Sequence, residues 1–183
     1  MFIIADFTRS GQRFSIDENK IYPCTRCEDG ELKPFDYCKR ILRHEGGDSE
    51  WCQIPRHKCD NPACEFTSRM LPVIFVPMKH YGSEEISDVV SGKVQPDDGR
   101  TDEYPCIGTM LLWLEWFSAN LSYIEAMIRS IANRRLGFSD IILESETSIV
   151  EGLQLRFPDT WLGMLHQYIY NAGGSLRPLK SFH

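Results

Sequence analysis

The sequence lacks the motifs that mark the common catalytic sites of enzymes. It has no HExxH metalloprotease motif, no Walker A phosphate-binding loop, no GxSxG nucleophile motif and no glycine pattern of a Rossmann fold. The carboxylates of Asp140, Glu144 and Glu146 are close enough in sequence to suggest a two-metal site, but loop carboxylates at this spacing are usually solvated. These absences favour a protein without a catalytic site.

Long apolar runs and an excess of positive charge are also absent. No segment approaches the roughly 20 apolar residues that cross a bilayer, and no basic region precedes the short apolar run at the N-terminus. The chain has 20 Lys and Arg against 26 Asp and Glu, a net charge of −6. This balance argues against nucleic-acid binding over the whole surface but leaves room for a local basic face. We expect a soluble, cytoplasmic protein.

Cysteine is plentiful, and its spacing is the most informative feature of the chain. The seven cysteines are odd in number and include CxxC spacing, which fits a reducing cytoplasm better than a disulfide framework. Cys24-Thr-Arg-Cys27 and Cys59-Asp-Asn-Pro-Ala-Cys64 form two cysteine knuckles. Four thiolates in a tetrahedron satisfy Zn²⁺ and leave no open coordination position. The sequence predicts one structural zinc ion per chain, bound by Cys24, Cys27, Cys59 and Cys64; the alternative is a set of ordinary buried thiols.

The segment between the knuckles has the pattern of a β-hairpin. Residues 37–44 and 50–58 are strand-like, and Glu45-Gly46-Gly47-Asp48-Ser49 between them is a turn signal. Knuckles that flank a hairpin predict a zinc ribbon. In this register Cys38 and Cys52 would not face each other, so we interpret both as small buried side chains.

The hairpin also carries the densest basic group in the first half of the chain. One interpretation is a solvated strand face, and the other is a strip that contacts phosphate. The predicted DNA-binding residues are Lys39, Arg40, Arg43, Arg56 and Lys58.

The second half of the chain has helical periodicity. A short helix is predicted from Ser83 to Gly92, and a long one from about Thr109 to Arg135, with Trp113 and Leu114 in a buried apolar stripe. Its first half is apolar nearly all round, which predicts a buried helix. Further helices are predicted within 148–155 and from 158 to 171.

Ser122 and Glu125 match a capping box inside the long helical segment, which would allow two helices in series. Together the patterns predict an α+β chain with two domains. Residues 1–80 would form an N-terminal zinc ribbon with short antiparallel strands, and residues 81–183 a small helical domain.

The whole pattern resembles a family of bacterial mobile-element proteins, described as transposase-associated or of unknown function. The residues that carry the resemblance are Cys24-Thr-Arg-Cys27, Ile54-Pro-Arg-His-Lys-Cys59 with Cys64, Leu71-Pro72, Pro77, Tyr81, the segment 109–117 and Trp161. The resemblance implies a zinc ribbon followed by a helix-turn-helix-like region. The segment 109–117 departs from the family because it contains no Arg, Lys, Asn or Gln with which to contact base edges.

Three functions follow from these patterns. The first is a zinc-stabilised, non-catalytic DNA-binding accessory of a mobile element, which would work with a partner encoded by the same element. The second is a protein-interaction module in which a helix bearing Trp113 and Trp116 docks on a partner. The third is a nuclease or transposase fragment that uses acidic residues.

Overall fold

The computed structural model of the chain describes residues 2–17, 19–27, 29–98, 104–136 and 148–177. These residues form one six-stranded sheet followed by four α-helices, which confirms the predicted α+β class. Asp140, Glu144 and Glu146, which suggested a two-metal site, lie outside the described residues. No helix in the described part of the chain is long and apolar enough to span a membrane.

The strands of the sheet are arranged around β5. The six strands are β1 (Phe2–Ala5), β2 (Thr8–Ser10), β3 (Arg13–Ser15), β4 (Leu32–Arg43), β5 (Ser49–Cys59) and β6 (Thr67–Pro72). One edge of β5 pairs with β4, and its other edge pairs with β3 and then with β6. The β2–β3, β4–β5 and β5–β6 pairs are antiparallel, whereas β1–β6 and β3–β5 are parallel. The parallel pairs join segments far apart in sequence, which a hairpin pattern does not reveal.

The predicted hairpin is confirmed as β4 and β5. Its connection is a single 3-10 turn, Glu45–Gly47, in which Gly46 and Gly47 have φ values of +72° and +79°. Glycine suits both positions because a Cβ atom makes this backbone region unfavourable. Cys38 pairs with Ile54, and Cys52 pairs with Arg40, so the two thiols are not directly opposed.

The sheet has a hydrophobic core on each face, because successive strand residues point to opposite sides. Ile4 and Leu71, which are directly paired, lie in the main core with the helices. The neighbouring pair Ile3 and Met70 lies in a second, smaller core with the knuckle cysteines Cys24 and Cys59. The sheet therefore separates a helical layer from the cysteine knuckles. The domain boundary between residues 80 and 81 stays a prediction, and the main core contains residues from both sides of it.

The helical layer contains all the predicted helices of the described residues. They are α1 (Ser83–Val90), α2 (Ile107–Leu136), α3 (Ile149–Arg156) and α4 (Trp161–Asn171). The helix α2 is continuous, and Glu125 does not cap a second helix within it. Its carboxylate instead accepts hydrogen bonds from Ser148 Oγ (2.6 Å) and from the backbone amides of Ile149 (3.1 Å) and Val150 (3.2 Å). Glu125 thus caps the N-terminus of α3, where a carboxylate satisfies unpaired amides.

One side of α2 is more exposed than the sequence predicts. Trp113 and Trp116 are buried against the rest of the main core, but Ile107, Leu111 and Leu112 are each more than half exposed. The prediction that the first half of this helix is buried nearly all round is therefore wrong. The helix packs as the outer element of its layer, so only one stripe of it reaches the core.

Candidate metal centre

The four knuckle cysteines converge at the end of the hairpin opposite its turn. Their Sγ atoms all lie within 4.8 Å of one another, with Cys24 and Cys64 3.7 Å apart and Cys27 and Cys59 also 3.7 Å apart. A tetrahedral ion with metal–sulfur bonds of about 2.3 Å, the length found for Zn²⁺, separates its ligands by about 3.8 Å. The four thiols are therefore close enough together, and suitably spaced, to bind one tetrahedral metal ion.

The first knuckle is held where the chain enters β4. The Cys24 amide donates to the Gly30 carbonyl (2.7 Å), and the Leu32 amide donates to the Tyr22 carbonyl (2.8 Å). These bonds close a short loop that turns the sulfurs of Cys24 and Cys27 toward the second knuckle.

The second knuckle continues directly from β5, whose last residue is Cys59. The Cys59 amide donates to the Phe66 carbonyl (2.8 Å), and the Cys64 amide donates to the Asn61 carbonyl (3.0 Å). The Asn61 side chain accepts a hydrogen bond from the backbone amide of Ala63 (2.9 Å), so Asn61 and Pro62 form a turn. The four-residue spacer is long enough for this turn to bring Cys64 back to Cys59.

The surroundings of the sulfurs shift the pKa values of the thiols in opposite directions. Burial raises the pKa of the Cys59 thiol to about 12, and burial also raises the pKa of Cys64. For Cys24 the raising effect of burial is outweighed by the backbone amides of Cys27 and Arg26, which lower its pKa to about 7. Four thiolates this close would repel one another strongly, and the charge of a bound metal ion removes that cost.

Gly30 permits the close packing of the two knuckles. A Cβ atom added at this position would lie 2.5 Å from Cys59 Sγ and 3.1 Å from the Cβ atom of Asn61. Gly30 is not among the site residues predicted from the sequence. Its position three residues after the CxxC motif, where the chain turns back toward β4, is the signal that was available.

We expect Gly30→Ala to lower metal affinity, because the new methyl group displaces the Cys59 sulfur from its position in the tetrahedron. Competition with a chromophoric chelator measures this loss. Gly152→Ala is a matched control, since an added Cβ atom at Gly152 in α3 meets nothing within 4 Å. That control should keep its metal affinity and gain up to about 1 kcal/mol of stability from improved helix propensity. Equal metal affinity in the two variants would contradict the assigned role of Gly30.

The five predicted DNA-binding residues lie on two different faces of the hairpin. The pairing register places Lys39 and Arg43 on the strand face away from the helical layer, and Arg40, Arg56 and Lys58 on the opposite face. The structure therefore does not bring all five into one strip. Their contact with DNA stays a prediction.

Four of these residues already have partners in the protein. The Arg43 guanidinium lies over the ring of Tyr81 and the Lys58 ammonium over that of Phe35, 5.9 and 5.8 Å from the ring centroids. The Arg40 guanidinium donates to the carbonyls of Val76 (2.8 Å) and Lys79 (2.6 Å), and burial lowers its pKa to about 10. It holds the connection between β6 and α1 against the sheet. Arg56 donates through Nε to Asp36 (2.6 Å), with which it forms an ion pair.

Comparison with known protein families finds a match that includes this centre. A family model described as a domain of unknown function (DUF6431) matches residues 24–113. The match begins at the first knuckle cysteine and ends at Trp113 in α2, so it includes all four cysteines of the candidate metal centre. No curated protein and no solved structure matches the chain significantly. The chain is thus similar, over the hairpin, both knuckles and the start of α2, to a family whose function is unknown.

Proposed function

We propose that this chain is a zinc-stabilised, non-catalytic DNA-binding accessory protein of a mobile element. The observation that carries the proposal is the cluster of four cysteine sulfurs at the base of a hairpin whose outer face carries cations. Four thiolates in a tetrahedron are typical of structural zinc. Such a site has no open position for water or substrate, so its role would be to hold a zinc ribbon together.

The surface available for phosphate is the outer side of the hairpin and its neighbour β3. We define the open face by the residues that alternation and register place there: Arg13, Tyr37, Lys39, Ile41, Arg43, Ser49, Trp51 and Gln53. Three of these eight side chains are cationic and none is a carboxylate. A protein with a net charge of −6 can attract DNA through such a local concentration of cations.

DNA binding through the open face predicts a defined salt dependence. Each phosphate contact releases condensed counterions, so log affinity should fall with log salt with a slope of about −0.7 to −0.9 per contact. We expect Lys39→Ala combined with Arg43→Ala to weaken binding to all sequences alike and to reduce the slope by about 1.4 to 1.8. Anisotropy titrations of labelled DNA between low and physiological salt measure both effects.

The matched control for this experiment is Arg156→Ala, which removes an exposed cation from α3 in the helical layer. Its affinity and salt slope should equal those of the unmodified chain. An absence of binding to single- and double-stranded DNA at tens of micromolar protein in low salt would end the DNA proposal.

A protein-interaction module is the second candidate, and the exposed apolar side of α2 favours it. Ile107, Leu111 and Leu112 present apolar side chains to solvent. Trp113 and Trp116 are buried and would be unavailable to a partner, so docking would use the leucines instead. This function predicts that the chain binds no DNA. It also predicts that Leu111→Asp reduces self-association or partner binding.

A further inference from the structure

We infer that the open face binds single-stranded nucleic acid, with a base stacked on Trp51. This inference rests on the proposed function and specifies the form of nucleic acid that the site takes. It follows from the exposure of one tryptophan, the cations around it, and the geometry by which bases can reach a flat sheet.

Trp51 differs from the other three tryptophans of the chain. Trp113, Trp116 and Trp161 are at most 3% exposed, whereas Trp51 is 57% exposed near the start of β5. Its face of the strand looks away from the helical layer, and its direct partner across the pair is the half-buried Ile41. The hydrophobic cores do not require an indole here, so its large flat surface is available to a ligand.

Cations flank the indole on both sides. In the register of the hairpin, Lys39 is opposite Gln53 and Arg43 is opposite Ser49, so both are diagonal neighbours of Trp51 on the same face. Diagonal positions are about 7–8 Å apart, within reach of long side chains. Lys39 and Arg43 are separated by about 13 Å along β4, at about 3.3 Å per residue. Both side chains are exposed, although the Arg43 guanidinium also lies 5.9 Å from the centroid of the Tyr81 ring. A base on the indole would therefore have a cation within reach of the phosphate on either side of it.

A second aromatic position lies on the same face. The guanidinium of Arg13 is stacked 4.1 Å from the centroid of the Tyr37 ring. Arg13 comes from β3 and is directly paired with Gln53, which places it beside the hairpin. Guanidinium planes and aromatic rings both accept stacked bases in single-strand complexes. The open face thus offers a row of stacking groups with positive charge between them.

The exposed indole favours a single strand over a duplex. In a duplex the faces of the bases are covered by their neighbours, and only the edges are accessible in the grooves. Reading those edges requires an inserted helix or a free two-stranded ribbon. The exposed residues Leu111 and Leu112 of α2 have no hydrogen-bonding side chains, and the hairpin is not a free ribbon because β5 also pairs with β3 and β6. In a single strand the base faces are free to stack on an aromatic side chain.

The inference is tested with labelled oligo(dT) and oligo(U) of about 12 nucleotides and a mixed-sequence duplex of the same length. We expect oligo(dT) to bind more tightly than the duplex and to quench the fluorescence of Trp51. Trp51→Ala should weaken binding about 5- to 150-fold, the range that corresponds to one stacked base. Trp51→Phe, which keeps an aromatic face, should lose the quenching and retain most of the affinity. Arg156→Ala serves again as the control and should bind as the unmodified chain does.

Each outcome separates this inference from the proposed function. Duplex binding that is as tight as single-strand binding and unaffected by Trp51→Ala would overturn the inference while leaving the DNA-binding function in place. Binding to oligo(U) alone with the expected loss in Trp51→Ala would support the single-strand surface and overturn the DNA function. No binding to any of the three probes would overturn both. Because Trp51 is exposed, its variants should have the same melting temperature as the unmodified chain. Equal melting temperatures then show that a loss of affinity does not come from unfolding.

Discussion

Cys59→Ser is expected to unfold the knuckle end of the protein. The second core is small, and two of its eight buried residues, Cys24 and Cys59, are metal-site cysteines. Structural zinc contributes on the order of 10 kcal/mol to the folding of small zinc modules, so little stability remains once a ligand is lost. We expect a large fall in melting temperature, early proteolysis around the knuckles, and the same behaviour when the unmodified chain is incubated with a chelator.

Cys106→Ser is the matched control for this variant. Cys106 is exposed, precedes α2 and is not part of the four-cysteine cluster. Its replacement should leave the melting temperature and the effect of the chelator unchanged. A Cys59→Ser protein that melts with the unmodified chain would show that these thiols are ordinary buried side chains.

Trp113→Ala is expected to destabilise the chain by about 3–5 kcal/mol, because it removes a large side chain from a packed core. Trp113 is 3% exposed, and its ring meets that of Tyr81 edge-on with 5.1 Å between centroids. Denaturant unfolding measures the loss. The sequence places Leu114 in the same stripe, but its side chain is only partly buried. Leu114→Ala should therefore lower the free energy of unfolding by less than Trp113→Ala does.

Leu112→Ala provides the control on the same helix. Leu112 is 53% exposed, and substitutions at such positions usually change stability by less than about 0.5 kcal/mol. Similar losses in the Trp113 and Leu112 variants would contradict the packing of α2 described above.

Features that depend on neighbouring residues could be predicted from the sequence. The cysteine knuckles, the Asn61-Pro62 turn and the glycine turn of the hairpin each follow from side-chain chemistry within a few residues. The same local patterns placed all four helices of the described residues to within a few positions. The four cysteines came together as predicted because a hairpin returns the chain to its starting point.

Features that depend on distant parts of the chain could not be predicted in this way. Alternation shows that Lys39 and Arg40 point to opposite faces, but not which face the helices cover. A single basic strip is therefore one interpretation of the sequence, although the half-buried Arg40 donates hydrogen bonds to the carbonyls of Val76 and Lys79 on the helical side. Glu125 matched a local capping box, but it caps a helix whose first residue is 24 positions further along the chain.

The zinc content of the purified chain tests the central claim most directly. Elemental analysis of protein prepared without added metal should find one equivalent of zinc per chain, and native mass spectrometry should show the matching mass. The same measurement on Cys59→Ser should find most of that zinc gone, while Cys106→Ser retains it. Less than about half an equivalent in the unmodified chain, or an unchanged zinc content in Cys59→Ser, would contradict a zinc centre formed by Cys24, Cys27, Cys59 and Cys64.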